Sequence, residues 1–297
     1  MAEVASAEFA RTDPVASERE APTRHHRRPR HLVTHVLLIF GAIFMVGPFL
    51  WQVSTSFQTF GESVSVPPTF IPHSLQWHNI VTVFHGQPFA RQLINTTVMT
   101  IARTAGQVLF SSMAGFTFAR MKFPGRNVLF LVFLSVTMVP YQVFLLPQYQ
   151  IIQHLRLLDT IPALFLPGLF SAFGTFLLRQ FFLQLPNEIE EAARIDGANI
   201  FQIYWRVMLP MAVPGLIALS VLVIIWSWND LLWPLVVNTD PGQMPVSAGL
   251  ASLQGQYVTN FPVLMAGSLL ASLPVIVVFI IFQKHMMNGI AFSGVKG

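Results

Sequence analysis

The sequence predicts an all-α polytopic membrane protein with six transmembrane helices. Of its 297 residues, 53% are hydrophobic and only 10% are charged. About a quarter of the residues in an ordinary soluble protein are charged, so this chain has too little polar surface to face water. In addition, most lysines and arginines fall in the segments that join alternate apolar blocks. This uneven distribution is typical of a chain that crosses a membrane several times.

Residues 1–31 predict a disordered, basic, cytoplasmic tail. The segment is polar, contains three prolines and ends in the run RHHRRPRH. The clustered His25, His26, His31 and His35 allow a metal site, but arginine-flanked histidines beside a membrane favour a basic anchor for anionic lipid. The first apolar block begins too late and is too long for a secretory signal peptide.

Six apolar blocks predict the transmembrane spans. A helix needs about 20 apolar residues to cross roughly 30 Å of hydrocarbon at 1.5 Å per residue. The predicted bounds are 32–57, 93–118, 128–146, 161–183, 211–235 and 263–282. Each span must be helical or buried in protein, because lipid offers no partner to a free backbone amide.

The basic residues predict the orientation of the chain. With the N-terminal tail in the cytoplasm, 14 of the 17 lysines and arginines lie on that side, 2 lie outside, and Arg103 lies within the second span. Cytoplasmic loops of membrane proteins carry this excess of positive charge. Both termini are therefore expected in the cytoplasm. The loops at 58–92 and 236–262 then lie outside, whereas the loop at 184–210 and the tail at 284–297 lie inside.

The cytoplasmic loop at 184–210 predicts two short amphipathic helices. Asn187 followed by Glu190 has the N-cap and third-position acceptor of a capping box. Gly197 is suited to end that helix in a left-handed conformation. Asn199 and Gln202 repeat the capping-box signal and begin the second helix. Periodicity alone leaves two interpretations open: a connector lying at the membrane surface, or a docking element for a partner.

The string EAARIDG at 191–197, followed by VMLP at 207–210, resembles the EAA loop of binding-protein-dependent ABC importer permeases, with Val207 where isoleucine is usual. The segments FARMKFPGR, FLLRQFF, SWNDLLWPL and the terminal GVKG resemble the MalG-type branch, which serves carbohydrates. The resemblance implies the ABC type I importer permease fold. It also implies that residues 93–283 form a permease core of five helices in the inner (plasma) membrane of a bacterium.

The resemblance further implies a set of partners. These are a second homologous permease subunit, two copies of a cytoplasmic ABC ATPase, an extracytoplasmic substrate-binding protein and membrane lipid, with no nucleic acid. A P-loop needs a glycine-lysine pair followed by serine or threonine, and the sequence has no GK dipeptide. ATP and Mg²⁺ are therefore expected on the ATPase, with no cofactor, metal or catalytic site on this chain. The chain is expected to be a transport subunit, not an enzyme.

The resemblance implies that one segment of the chain couples it to the ATPase. The residues expected to carry it are Glu190, Glu191, Ala192, Ala193, Asp196, Gly197, Val207, Leu209 and Pro210. Alanines allow a partner's backbone to approach closely, and Glu191 can meet a basic group. Closure of the ATPase pair on ATP would tilt the attached helices and give alternating access by rigid-body motion.

Six polar or aromatic residues are candidates for the translocation pathway: Arg103, Tyr141, Gln142, Trp228, Asn229 and Asp230. A charge within a span costs about 2.5–3.5 kcal/mol on insertion scales, so Arg103 must face protein or water. It is either a pathway or subunit-interface residue, or a structural arginine bonded to carbonyls or to Gln107. The tryptophan-rich end of span five is typical both of a sugar contact and of an interfacial belt. Pro140 indicates a kink or a cavity-lining break.

The predicted function is a permease subunit of an ATP-driven importer for a sugar or oligosaccharide. Three alternatives remain: the same machinery for a non-sugar solute such as a glycerol phosphate ester, an ion-coupled secondary transporter, and a membrane-embedded enzyme. A secondary transporter needs acids well inside its spans, and only Asp230 approaches that position, near a span end. An enzyme needs facing acid, base or metal ligands, and the spans contain no such pairing.

Overall fold

The computed structural model describes residues 30–255 and 258–294, with side chains at 33–255 and 258–283. Within these ranges the chain forms helices and turns and no strand. The chain divides into two units, with the boundary between Pro48 and Phe49. The predicted disordered tail at 1–31 lies outside the described residues except for the backbone of its last two. The side chains of three of the four clustered histidines lie outside them too.

Helices of 3 to 34 residues follow one another along the described chain. The α-helices are α1 (Arg30–Ser56), α2 (Phe60–Ser63), α3 (His78–Gly86), α4 (Phe89–Arg120), α5 (Arg126–Ser135), α6 (Leu145–His154), α7 (Ile161–Phe165), α8 (Ala172–Gln184), α9 (Asn187–Ile195), α10 (Ile200–Gln202), α11 (Leu209–Met211), α12 (Val213–Trp228), α13 (Leu232–Val237), α14 (Val246–Ser252) and α15 (Phe261–Gly294). The 3₁₀ turns are Val136–Met138, Tyr141–Phe144 and Leu166–Gly168, and a π-helix spans Ile203–Met208.

The predicted number of six spans is not confirmed. In the described residues, α1 and α15 are each long and apolar enough to cross a membrane as single helices. The predicted spans three and four are bent pairs of helices that meet at 95° and 49°. The helix of the fifth span, α12, meets residues 200–211 of the preceding loop at 74°. Helix α4 contains the second predicted span and has 32 residues, but buried polar side chains make it less apolar than the others. Length and composition therefore give two to five crossings.

Proline positions explain two of the breaks. Val139 is extended before Pro140, as expected for a residue that precedes proline, and the chain turns by 95° there instead of kinking slightly. The fifth span begins at Val213 and not at 211, because Pro210 cannot donate a backbone hydrogen bond and Pro214 starts a new helix. That helix ends at Trp228, earlier than predicted, and α13 is separate.

The last helix is longer than predicted. Helix α15 begins at Phe261 and continues to Gly294, beyond the predicted end of the sixth span at residue 282. The apolar run ends near Phe282, and residues 283–294 contain no proline. The predicted outside loop at 58–92 likewise contains helices α2 and α3.

Glycines allow α4 and α8 to pack closely. A Cβ at Gly115 would lie 2.9 Å from the Arg179 backbone nitrogen, and one at Gly174 would lie 2.6 Å from Ser111 Oγ. Beside this crossing, a core of buried apolar residues joins α4, α8, α12 and the π-helix. Its members are Phe116, Ala119, Leu178, Phe182, Ile203, Tyr204, Met208, Ala212, Leu219 and Val223. The loop at 184–210 is thereby packed on the helices that precede and follow it.

The first predicted outside loop is tied together by Glu62. Its carboxylate accepts hydrogen bonds from the backbone N–H of Thr59 (2.8 Å) and of His73 (3.0 Å), and lies 2.6 Å from His73 Nδ1. These donors, the Thr59 amide first, lower the pKa of Glu62 from 4.5 to about 2.

We predict that this loop loosens in acid. Because the folded pKa of Glu62 is depressed, its stabilisation is fully present above about pH 4.5 and is lost as the pH falls towards 2. Hydrogen exchange of residues 57–77, relative to Glu62→Gln at each pH, measures this difference. Protection should exceed that of the variant at pH 6 and match it near pH 2. Equal protection at pH 6 would contradict the assignment.

Candidate functional site

The first helix of the loop at 184–210, α9, does not begin as predicted. Pro186 occupies the N-cap position and no side chain caps the helix. The predicted capping box of Asn187 with Glu190 is wrong, because arginines engage both side chains. Asn187 Oδ1 accepts a hydrogen bond from Arg120, and Glu190 Oε1 lies 2.7 Å from Arg194 Nη2.

The end of α9 is formed by Gly197, as predicted. Its φ of +81° is a left-handed conformation that favours glycine. The Gly197 amide donates to the Arg194 carbonyl (3.1 Å), and the Ala198 amide donates to the Ala193 carbonyl (3.0 Å). These two bonds form a Schellman motif, which satisfies the last carbonyls of α9 and reverses the chain.

The second helical segment begins at Asn199, and its predicted capping box is confirmed. Asn199 Oδ1 accepts from the Gln202 amide, and Gln202 Oε1 accepts from the Asn199 amide, both at 2.9 Å. The helix then widens into the π-helix at Ile203–Met208. Pro210 accounts for this widening, because its ring and missing N–H are incompatible with a regular bond to the Arg206 carbonyl.

The residues expected to carry coupling divide into two sets. Four face the protein interior: Glu190, Ala193, Val207 and Leu209. Five are exposed: Glu191, Ala192, Asp196, Gly197 and Pro210. Glu190 is therefore engaged within this chain, whereas the carboxylate of Glu191 is available to a partner.

The loop also exposes large apolar residues that the sequence analysis did not select. Ile195 is 86% exposed and Phe201 is 62% exposed. The Phe201 ring lies edge-on to that of Trp205, with centroids 6.1 Å apart. Exposed apolar groups beside charged ones mark surfaces that bind other proteins. The sequence did hold a signal for this exposure, because Ile195 is the last residue of α9 and Phe201 follows the Asn199 cap.

A second site lies where Arg103 meets Asp230. Arg103 Nη1 donates to Asp230 Oδ2 at 2.7 Å, and the two side chains are only 20% and 17% exposed. The sequence did not indicate Asp230 as the partner of Arg103. The partner that it did suggest, Gln107, instead donates its side-chain amide to the Gly168 carbonyl (2.6 Å). A Cβ on Gly168 would lie 2.2 Å from Arg103 Nε, so a larger residue at this break in the fourth span would displace the guanidinium.

The other pathway candidates differ in exposure and in hydrogen bonding. Tyr141 and Gln142 are exposed, and Tyr141 lies within electrostatic range of both charges. The Asn229 amide donates to the Ile225 carbonyl (2.8 Å). Trp228 is buried and donates its indole N–H to the Ala271 carbonyl (3.0 Å), which ties α12 to α15.

The tryptophan-rich segment therefore has a largely structural role. Trp233 is also buried and donates its indole N–H to the Ala163 carbonyl (2.9 Å). Of the three nearby indoles, Trp226 is the exposed one, and its ring packs edge-on against Phe173. An apolar cavity of about 630 Å³ lies beside this segment, between α4, α12 and α15. Across the described part of the chain, no three histidine, aspartate or glutamate side chains converge to hold a metal ion.

Sequence comparisons show what the chain is similar to. The profile of a family described as "binding-protein-dependent transport system inner membrane component" matches residues 107–290. The arabinooligosaccharides transport system permease protein AraQ of Halalkalibacterium halodurans is 34% identical over 87% of this chain and 94% of that relative. The sn-glycerol-3-phosphate transport system permease protein UgpE of Yersinia enterocolitica is 33% identical over 90% of this chain and 98% of that relative.

A solved structure shows the same fold. A chain of a bacterial ABC transporter involved in the import of the acidic polysaccharide alginate superimposes with a TM-score of 0.76 and 23% identity, covering 86% of this chain and 95% of that chain. A chain of the alginate transporter in complex with an alginate pentasaccharide-bound periplasmic protein gives a TM-score of 0.61 and 15% identity over 89% of this chain and 96% of that chain.

Proposed function

The chain belongs to the binding-protein-dependent transport system inner membrane components, and from this membership we propose that it is the permease subunit of an ATP-driven importer for a sugar or oligosaccharide. It is a transport subunit and not an enzyme by itself. ATP and Mg²⁺ are bound by a separate cytoplasmic ATPase. A second homologous permease, two ATPase copies and an extracytoplasmic binding protein complete the assembly, and both termini of this chain lie in the cytoplasm.

The observation that carries the coupling proposal is the two-sided surface of the loop at 187–210. Its inward side is fixed, because Ile203, Tyr204 and Met208 are buried in the core shared with α4, α8 and α12. Its outward side offers the small side chain of Ala192, the carboxylate of Glu191 and the apolar side chain of Ile195. The outward side is the docking element for the ATPase.

The inward packing also explains how motion reaches the membrane. Close-packed interiors transmit displacement instead of absorbing it. When the ATPase pair closes, the loop moves with α4, α8 and α12, which share its core. Their rigid-body tilt exposes the pathway to one side of the membrane and then to the other.

The charge of the pathway site supports an uncharged cargo. Arg103 is neutralised by Asp230, so the six pathway candidates carry no net charge. A phosphate monoester is bound most strongly by a cationic donor that is not already neutralised. An amide, a phenol and a compensated ion pair are better suited to sugar hydroxyls. UgpE, whose name gives glycerol-3-phosphate as its cargo, is about as similar to this chain as AraQ, so a glycerol phosphate ester is the second candidate.

Copurification and uptake test the proposed function. The detergent-solubilised chain is expected to bring down an ABC ATPase and the second permease. Uptake in cells should stop on ATP depletion and persist with an ionophore. Uptake that survives ATP depletion but collapses with the ionophore, with no ATPase bound, would overturn the proposal in favour of a secondary transporter.

The cargo is tested separately with the cognate extracytoplasmic binding protein. Calorimetric titration with neutral oligosaccharides and with glycerol phosphates, at equal concentrations, compares the two candidates directly. We expect binding of an oligosaccharide. Tight binding of the phosphate ester alone would assign the second candidate.

A further inference from the structure

Arg120, the last residue of α4, joins three elements through a single guanidinium group. Its Nε and Nη2 donate to the Phe182 carbonyl at 3.0 and 2.5 Å, and Nη2 also donates to the Leu185 carbonyl at 2.5 Å. Its Nη1 donates to Asn187 Oδ1 and lies 3.8 Å from Glu190 Oε2. Arg120 thus connects the end of α4 with the end of α8 and the beginning of α9.

The position of Arg120 makes these bonds effective. Its side chain is only 5% exposed, and the Glu190 side chain is 10% exposed. A cation at the C-terminal end of a helix is favourable, because the carbonyls there lack helical partners. The planar guanidinium offers five donors in a fixed geometry, whereas a lysine offers three donors on a single nitrogen.

The chain between α8 and α9 is short but not rigid by itself. Only Leu185 and Pro186 separate the two helices, and both residues have extended backbones. Torsion at these residues would allow α9 to pivot against α8. Arg120 opposes this pivot, because it bonds the chain on both sides of Pro186.

We propose that Arg120 is the positioning residue that makes α9 move as one body with α4 and α8. This inference rests on the proposed function, in which α9 receives force from the ATPase. Without the arginine, the ATPase still docks on α9 and hydrolyses ATP, but α9 pivots at residues 185–186 and less of the motion reaches the membrane. Arg120 contacts neither cargo nor nucleotide.

Arg194 provides a matched control. It pairs with the same carboxylate, Glu190, at 2.7 Å. However, it belongs to α9 itself, its side chain is 54% exposed, and the pair spans four residues of one helix. A pair within one helix whose cation is more than half exposed contributes modestly to stability. Loss of Arg194 therefore removes a partner of Glu190 without separating α9 from α4 and α8.

The functional test compares Arg120→Gln, Arg120→Lys and Arg194→Gln in the complete transporter reconstituted in liposomes. The measured quantity is the number of cargo molecules imported per ATP hydrolysed. We expect Arg120→Gln to retain the ATPase but to lower this ratio about tenfold, within the usual range of coupling effects. Arg120→Lys should fall between it and the wild type, and Arg194→Gln should match the wild type. A wild-type ratio in Arg120→Gln would overturn the inference.

A distance measurement tests the same inference without transport. The chain contains no cysteine, so Met113→Cys and Glu188→Cys place two spin labels specifically on α4 and α9, at exposed positions. Pulsed electron resonance should give one narrow distance distribution in the otherwise wild-type permease and in Arg194→Gln, and a broad one in Arg120→Gln. If Arg120→Gln does not fold, Arg120→Lys takes its place: a distribution broader than that of the wild type supports the inference, and an equally narrow one contradicts it.

Failure of the proposed function is recognised separately from failure of this inference. If the wild-type chain binds no ATPase, the proposed function fails, whereas the distance distributions still report whether Arg120 fixes α9. If wild-type transport is ATP-driven and Arg120→Gln keeps both a narrow distribution and the wild-type ratio, only the role of Arg120 is refuted.

Discussion

Replacing Arg103 by methionine is expected to abolish uptake and to destabilise the permease more than removing both members of its ion pair. Arg103→Met leaves the Asp230 carboxylate largely buried without its partner, and Asp230→Asn leaves the guanidinium unpaired. Breaking a buried pair on one side costs on the order of 3 kcal/mol, whereas replacing both charges is often close to neutral. The unfolding midpoint of the purified chain in detergent measures this difference.

The double variant Arg103→Met/Asp230→Asn is the control. It is expected to recover most of the stability lost in either single variant, because no charge is left unpaired. If its destabilisation instead equals the sum of the two single losses, the residues act independently and the pair has no energetic coupling.

Gly168→Ala gives an independent control that changes no charge. Its Cβ would lie 2.2 Å from Arg103 Nε and would displace the guanidinium from Asp230. We expect this variant to lower stability and uptake as Arg103→Met does. Wild-type behaviour would indicate that the arginine has room to move without losing its partner.

Proline at position 197 is expected to abolish ATP-driven uptake while the chain remains in the membrane. The φ of Gly197 is +81°, whereas proline fixes φ near −65° and removes the amide that donates to the Arg194 carbonyl. The Schellman motif cannot form, so the second helix leaves α9 in a different direction. Membrane fractionation, ATPase copurification and uptake measure the three consequences.

Two further substitutions separate backbone conformation from side-chain size at this position. A Cβ on Gly197 would meet nothing within 4 Å, so size alone carries no cost. Asparagine tolerates the left-handed conformation and should preserve uptake, whereas valine, which is branched at Cβ, should impair it. Normal uptake by Gly197→Pro would contradict the proposed role of the turn.

Features that depend on neighbouring residues were predictable from the sequence. The left-handed end at Gly197, the capping box of Asn199 with Gln202, and helices at the first and last spans follow from local chemistry and composition. The structure confirms each of these features. They were predictable because each depends only on residues that are close together along the chain.

Features that depend on distant residues were not predictable. Arg103 and Asp230 are 127 residues apart, and Arg120 bonds to carbonyls and side chains more than 60 residues away, so no spacing pattern connects them. The same arginine explains the failed capping box, because it takes the Asn187 oxygen that the cap would have used. Proline positions indicated interruptions, but their angles depend on how the following helices pack.

The most direct test of the central claim is photo-crosslinking from the outward side of the cytoplasmic loop in intact cells. A photoreactive amino acid at Ile195, which is 86% exposed, is expected to crosslink to the ABC ATPase. The same group at Val258, which is 68% exposed in the predicted outside loop, should crosslink to the extracytoplasmic binding protein and not to the ATPase. An ATPase adduct from Val258 and none from Ile195 would contradict both the orientation and the coupling surface.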